Sequence, residues 1–432
     1  MSRTRLTYLA LAALIGLVAP ATAKAAAMTF AEFETTLDAT ENALGEARFD
    51  AALAGTRRLM QVTPHLPGVE LLNARALAGA GQADAAVAAY AALVDQGVGA
   101  AVAADPAFAS LEGRPGWTSL RRRALAQRPI GADREAFRLA DPRLIPEGLA
   151  FDPATGRFFA SSTFLRKVVV RDRSGRTDDF VQPKDHGLLQ ALGLKVDAAR
   201  RTLFVCTGAD DNHLQDTQPA DIGRSGVLVY NLNTGQLRAA AWVGDGRSHL
   251  FNDLAVGPDG SAYVTDSRDG RIFVLDGQTR RLTPLTGPDS LLYPNGIAID
   301  PKGRVLFVAD LAGVARIDVR TGKITRMAEP AGVASGGIDG LYLYRRQLIG
   351  VQSGFGVNRV MAFRLDRTMT KVVTARALAR DDPQMKAATE GVVVGASLVF
   401  IADSQQNAFT VAGALKVEGL NQTPVLSVRL RR

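Results

Sequence analysis

The chain has a single cysteine, Cys206, in "TLFVCTG", so no disulfide can form within it. No histidine stands near it in a recognisable nucleophile pairing, and its strand-like setting reads as a buried, inert thiol. Only four histidines occur in 432 residues, and aromatics make up 6%. There is no G-x-S-x-G elbow, no P-loop and no dinucleotide fingerprint, which removes support for a serine hydrolase or a nucleotide-dependent mechanism. Beyond the N-terminus no stretch has the length and apolarity of a membrane span. The net charge is +8, falling to +6 without Arg3 and Arg5, but the basic residues are scattered. The only dense runs are Arg121-Arg122-Arg123 and the terminal "RLRR". Without a basic stripe interleaved with stacking aromatics, a nucleic-acid partner is not expected.

What is present begins with a leader. "MSRTR" supplies a positive region, "LTYLALAALIGLVAP" an apolar one, and Ala21-Thr22-Ala23 a small-residue cleavage site, which predicts a signal peptide over 1–23. Gly16 and Pro20 interrupt the apolar run and argue against an uncleaved anchor, and no cysteine near the site offers a lipid attachment. The mature protein is expected in a periplasm or outside the cell.

Residues 28–127 are Ala-rich and poor in β-branched residues, which favours helices. "ARFDAALAGTRRLM" (47–60) aligns without a gap on "GQADAAVAAYAALV" (81–94), with Asp50 matching Asp84 at a spacing of 34 residues. That spacing in helical sequence is tetratricopeptide-like. Two such units are few, since these repeats bury a core only by stacking. The segment reads as a small all-α domain, serving either as a protein-binding groove or as a packing module. Residues 128–135 read as the linker.

From residue 136 to 432 one strand pattern recurs: "EGLAFDPATGRFFASS" (147–162), "LGLKVDAARRTLFVCT" (192–207), "NDLAVGPDGSAYVTDS" (252–267), "NGIAIDPKGRVLFVAD" (295–310), "DGLYLYRRQLIGVQS" (339–353) and "EGVVVGASLVFIADS" (390–404). Several copies continue into a third or fourth strand. Four-stranded units at a pitch of roughly 40–50 residues are propeller blades, so the copies predict a six-bladed all-β propeller. The last copy yields three strands before the chain ends, and "AFRLA" (136–140) stands spare before the first. It is expected to complete blade six and leave no open edge.

Read across the copies, the first position is Glu147, Leu192, Asn252, Asn295, Asp339 and Glu390. Symmetry places these at one mouth of the central channel. Taken singly, each could cap a strand or fill a wet channel. Taken together, carboxylates and amide carbonyls on one axis predict one divalent cation: Ca²⁺ is favoured, with Mg²⁺ or Mn²⁺ as rivals. Zinc is disfavoured, because none of the few histidines falls at these positions. Asp253 stands where the other copies have glycine, and is expected to bind backbone N–H groups in the entry turn.

These segments also resemble a known family. "PEGLAFDP", "FNDLAVGPDG", "PNGIAIDPKG" and "IDGLYL" are similar, in order, to the four motifs of the regucalcin/gluconolactonase propellers, and paraoxonase-type lactonases share the metal position. The resemblance covers residues 136–432. It implies one divalent cation in the channel and hydrolysis of a small-molecule lactone or related ester. Glu147, Asn295 and Asp339 match the core metal ligands, Asn252 an asparagine at metal or substrate, and Asp339 the general base. Where the gluconolactonase pattern has a sugar-contacting arginine, this chain reads Ser248-His249-Leu250, so a sugar lactone is not implied. Asn252, His249 and Glu390 are the candidate substrate contacts. His213, in the insert "DDNHLQD", lies on a loop that could cover the channel; the insert breaks the EF-hand pattern, so a second calcium site is not expected there. Two other readings stand beside the hydrolase. One is a non-enzymatic binding propeller with a structural ion and a protein partner on its helices. The other is a strictosidine-synthase-like condensing enzyme, for which the sequence shows no dedicated acid.

Overall fold

The computed structural model describes residues 28–98, 103, 105–209, 217–353, 357–410 and 413–430. The expected signal peptide and the insert around His213 lie outside these residues.

The N-terminal part is helical, as its composition predicts. Thr29 and Glu32 form a reciprocal capping box that starts helix α1, Phe30–Gly45, satisfying backbone donors the first turn would otherwise leave bare. Then follow α2 (Phe49–Val62), α3 (Pro67–Gly79), α4 (Ala83–Asp95), a 3₁₀ turn (Pro106–Leu111) and α5 (Trp117–Leu125). The two self-similar segments fall on α2 and α4. Pro67 opens α3, at the position where a missing N–H costs nothing. Tyr90 packs edge-on against Phe108 and Trp117, with ring centroids 5.1 and 4.9 Å apart. No helix among the described residues is long and apolar enough to cross a membrane.

The remaining chain forms six four-stranded antiparallel sheets. Their innermost strands are Leu149–Asp152, Gln190–Asp197, Phe251–Val256, Ile297–Ile299, Ile338–Tyr344 and Gly391–Val394, which define blades 1 to 6. Each innermost strand touches that of the next blade, and blade 6 touches blade 1, so the ring is closed. Apolar clusters fill the wedges between neighbouring blades. Phe204 and Val229 of blade 2, for example, pack against Phe251 and Phe273 of blade 3, and Cys206 is buried in the same cluster. The outermost strand of blade 6 is Arg134–Leu139, pairing antiparallel with Thr423–Arg429. The chain thus closes its ring with the strand that stood spare in the sequence, which completes the four strands of blade 6.

The helices lie on the loops of blades 4 and 5. Phe33, Leu59, Leu66 and Val69 form one apolar cluster with Leu292 and Leu311 of the propeller. Phe30 packs on Tyr293 with ring centroids 4.2 Å apart. Gly336 N donates to His65 O at 3.1 Å. The buried Arg359 donates to Gln96 O and to Gln352 Oε1, each at 2.6 Å. Leu66 is fully buried at this seam. Leu66→Ala should therefore lower unfolding stability by about 2–5 kcal/mol, measured by denaturant titration of the full chain. A loss below about 1 kcal/mol would show that the seam does not carry stability.

Candidate functional site

Three candidate ligands share one backbone device. Two residues before Glu147, Asn295 and Asp339 stand Ile145, Tyr293 and Gly337, with φ of 43°, 55° and 73°. Left-handed backbone is costly for a β-branched or aromatic residue. It turns the chain sharply enough to deliver the next polar side chain to the axis. Pro146 and Pro294 lie between in the first two cases. Asp339 also falls in a register break between Ile338 and Gly340, and Asn252 and Asp253 in one between Phe251 and Leu254. Such bulges re-aim side chains out of simple alternation.

The axis is crowded, and the second motif position shows it. A Cβ on Gly193 of blade 2 would lie 2.6 Å from Asn252 O and 2.7 Å from Glu390 Oε1. A Cβ on Gly296 of blade 4 would press on the backbone of blade 5 at Leu341 N, 2.5 Å away. Glycine is required because the innermost strands meet there. Blade 3 carries Asp253 instead, and its carboxylate reaches both neighbouring blades.

Glu147, Asn252, Asn295 and Asp339 come together around a cavity of about 120 Å³, walled also by Gln190, Leu192, Leu250, Tyr293, Gln406 and Phe409. The asparagine amides are oriented by what their nitrogens bind. Asn252 Nδ2 donates to Ser267 Oγ at 3.1 Å, and Asn295 Nδ2 to Asp339 Oδ1 at 2.8 Å. Their carbonyl oxygens, both buried, have no hydrogen-bond partner among the described residues. Glu147 accepts from Gln406 Nε2. Burial pushes the Glu147 carboxyl well above its usual range, and Asp339 and Asp253 push it further. Asp339 is pushed up to about 7 by burial, with Asp253 adding to it and the Asn295 amide opposing. Crowded carboxylates of this kind must either hold protons or share a cation. Two partnerless carbonyl oxygens beside them supply the neutral ligands that a hard divalent cation takes. The residues present fit that group.

Further along the innermost strands lies a second set of charges. Lys195 Nζ of blade 2 donates to Asp253 Oδ1 of blade 3 and, at 3.1 Å, to Glu390 Oε2 of blade 6. Asp253 also accepts from Leu254 N at 2.7 Å and Ile297 N at 3.4 Å. The expected backbone contacts are there, but so is an ion pair that the sequence reading missed. Glu390 is fully buried and does not line the cavity; burial pushes its carboxyl well up, Asp253 adds to this, and Lys195 opposes it.

His249 is placed elsewhere as well. Its Nδ1 meets Asp266 Oδ2 at 2.6 Å and its Nε2 meets Asp245 Oδ1 at 2.8 Å. Both ring nitrogens are thus engaged away from the cavity, and neither is left for a substrate. Asp266 and Asp269 stand close enough to His249 to suggest a metal cluster. Arg247 and Arg271 occupy Asp269, however, and Arg271 also holds Asp245 at 2.6 Å. This is a neutralised ion-pair network.

Sequence reading also missed Gln406 and Tyr293. Lys195 had a weak signal: it is the fourth residue of its motif copy, where the others read Ala150, Ala255, Ala298, Tyr342 and Val393.

The architecture is that of a six-bladed propeller with an oxygen-lined channel mouth. Residues 222–377 match the SMP-30/Gluconolactonase/LRE-like region, so the family resemblance carried by the motifs holds over blades 3 to 5, which bring Asn252, Asn295 and Asp339. No curated protein matches the chain in sequence. Among solved structures, a gluconolactonase from Xanthomonas campestris is 17% identical, covering 70% of this chain and 98% of its own, with a TM-score of 0.47. Regucalcin, a calcium-binding protein from Agrobacterium tumefaciens, is 20% identical over 69% of this chain and 96% of its own, with a TM-score of 0.44. A PQQ-bound aldose sugar dehydrogenase from Streptomyces coelicolor is 16% identical over 70% and 99%, with a TM-score of 0.46. These likenesses assign no activity to this chain.

Two outcomes follow from the geometry. Gly193→Ala should lower stability by about 1–3 kcal/mol, the cost of overpacking, measured by chemical denaturation; an unchanged midpoint would mean that blades 2 and 3 have slack at the axis. The second concerns His249. Burial favours its neutral ring, but Asp266 and Asp245 outweigh this and raise its pKa. Its contribution is complete below the ordinary value of about 6.5 and is lost as pH rises through the raised folded value. The stability gap between wild type and His249→Asn should shrink across that window. A gap that stays constant with pH would mean that the ring is neutral.

Proposed function

We propose that the protein is a periplasmic or secreted, divalent-metal-dependent hydrolase of lactones or related esters. The observation that carries this is the pair of buried, partnerless oxygens, Asn252 Oδ1 and Asn295 Oδ1, facing a cavity shared with Glu147 and Asp339. Glu147, Asn252, Asn295 and Asp339 would hold the ion, and an all-oxygen set with two amide carbonyls favours Ca²⁺ over Mg²⁺ or Mn²⁺. Bound there, such a cation supplies a Lewis acid that polarises an ester carbonyl and stabilises its oxyanion.

The protein's own groups have separate tasks. Asn295 Nδ2 holds Asp339 Oδ1, while among the described residues Oδ2 has only a 3.4 Å contact from Ser353 Oγ. Oδ2 is the atom that takes a proton from the attacking water. Gln406 orients Glu147. Leu192, Leu250, Tyr293 and Phe409 form apolar walls that limit water around the reacting bond. No Lys or Arg is among the described lining residues. With His249 turned into its ion-pair network, this favours a neutral substrate less polar than a sugar lactone.

A second reading keeps the propeller as a binding module. It is supported by a larger cavity of about 520 Å³ between the helices, walled by Leu44, Phe49 and Leu72 with Glu41 and Arg75 at its edge. A protein partner there would leave the ion purely structural.

The readings separate in one assay. Mature protein is offered γ- and δ-lactones and aryl esters with Ca²⁺, Mn²⁺ or chelator. Hydrolysis is expected to need the cation. Asp339→Ala should reduce kcat at least about 100-fold. Activity indifferent to both chelator and substitution would sink the mechanism, and tight ion binding with no turnover of any substrate would favour the binding module.

A further inference from the structure

The channel contains a charged group for which the proposed chemistry has no use. Lys195 reaches from blade 2 to two carboxylates contributed by blades 3 and 6, which lie 58 and 195 residues away in sequence. Asp253 and Glu390 are both fully buried, and the Lys195 side chain is 17% exposed. The other charged groups that act on Glu390 are Glu147 and Asp339, both of the same sign as itself. Tyr342, a polar neighbour, accepts a hydrogen bond from Gly391 N at 2.5 Å and brings no charge. Lys195 is thus the cation of this part of the axis among the described residues.

We propose that the Lys195 ammonium is a built-in cation that stands in for a second metal ion beside Asp253 and Glu390, and so holds the channel at one bound metal. The proposal rests on the metal reading of the neighbouring cavity. Three observations carry it. The ammonium bridges two carboxylates from different blades, as a metal ion would. Glu390 Oε1 is buried and has no partner among the described residues, in space that exists because residue 193 is glycine: a Cβ there would sit 2.7 Å from this oxygen. A ligand atom is therefore already present that a monovalent ammonium does not use. Finally, most other copies carry a small or apolar residue at this motif position, so the fold does not need a lysine there, whereas the charges do. Without it, two buried carboxylates face each other uncompensated, a state that proteins avoid by binding a cation or by holding a proton.

The test counts ions. Calcium is titrated calorimetrically into the metal-free full mature chain, and melting is followed with and without calcium. Wild type should take one ion. Lys195→Met keeps the stem and removes the charge; it should take two ions and show a larger calcium-dependent rise in Tm. Lys195→Met with Glu390→Gln removes one charge of each sign and should return to one. A Lys195→Met chain that folds only with calcium also supports the proposal. It is overturned if Lys195→Met still takes one ion with an unchanged calcium response, if the double variant takes two, or if wild type takes two. It is also overturned if calcium fails to rescue Lys195→Met while the double variant folds. A wild-type chain that takes no ion at all removes the metal reading itself, a result distinct from these.

Discussion

Like charges brought to one axis are the constraint on which this structure turns. Glu147, Asp339, Asp253 and Glu390 come from four blades, and burial and mutual repulsion push three of them well above their ordinary pKa. Such an arrangement survives only where the surrounding fold over-determines it. Here the fold does so by closure. The Arg134–Leu139 strand ties the start of the propeller to its last blade, and the apolar wedges between blades fix each innermost strand against the next. The carboxylates cannot move apart without opening the ring.

The same crowding explains the backbone of the mouth. Left-handed residues before Glu147, Asn295 and Asp339 turn the chain inward, and glycines let the strands meet. The helical segment belongs to this arrangement. Phe30 packs against Tyr293, one of the strained residues and a wall of the cavity. The helices therefore brace one side of the mouth as well as packing on the ring.

Much of the candidate site is legible in the sequence, and the reason is symmetry. Glu147, Asn252, Asn295 and Asp339 occupy one place in a repeated motif, and a closed repeat maps one place in sequence to one ring in space. Lys195 and Gln406 were not legible, because their roles depend on partners in other blades at no fixed offset. His249 was misread from its place beside "FND". Nearness in sequence did not say which way the ring points, and it points at Asp245 and Asp266. Glu390 shares the motif position but not the cavity, since Lys195 holds it in a different pairing.

The amino-acid order alone settled the periods: helices in the first part, then six strand units, five of them with a polar entry residue, and a spare strand to close them. Local propensity and hydrophobic spacing suffice for that, because each acts over a few residues. How the charges sort follows from the packed blades. Their packing placed Asp253 between two blades, set Lys195 as its counter-charge and left two amide oxygens bare at the mouth. Those outcomes depend on distances across the axis, and no pattern along the chain encodes them.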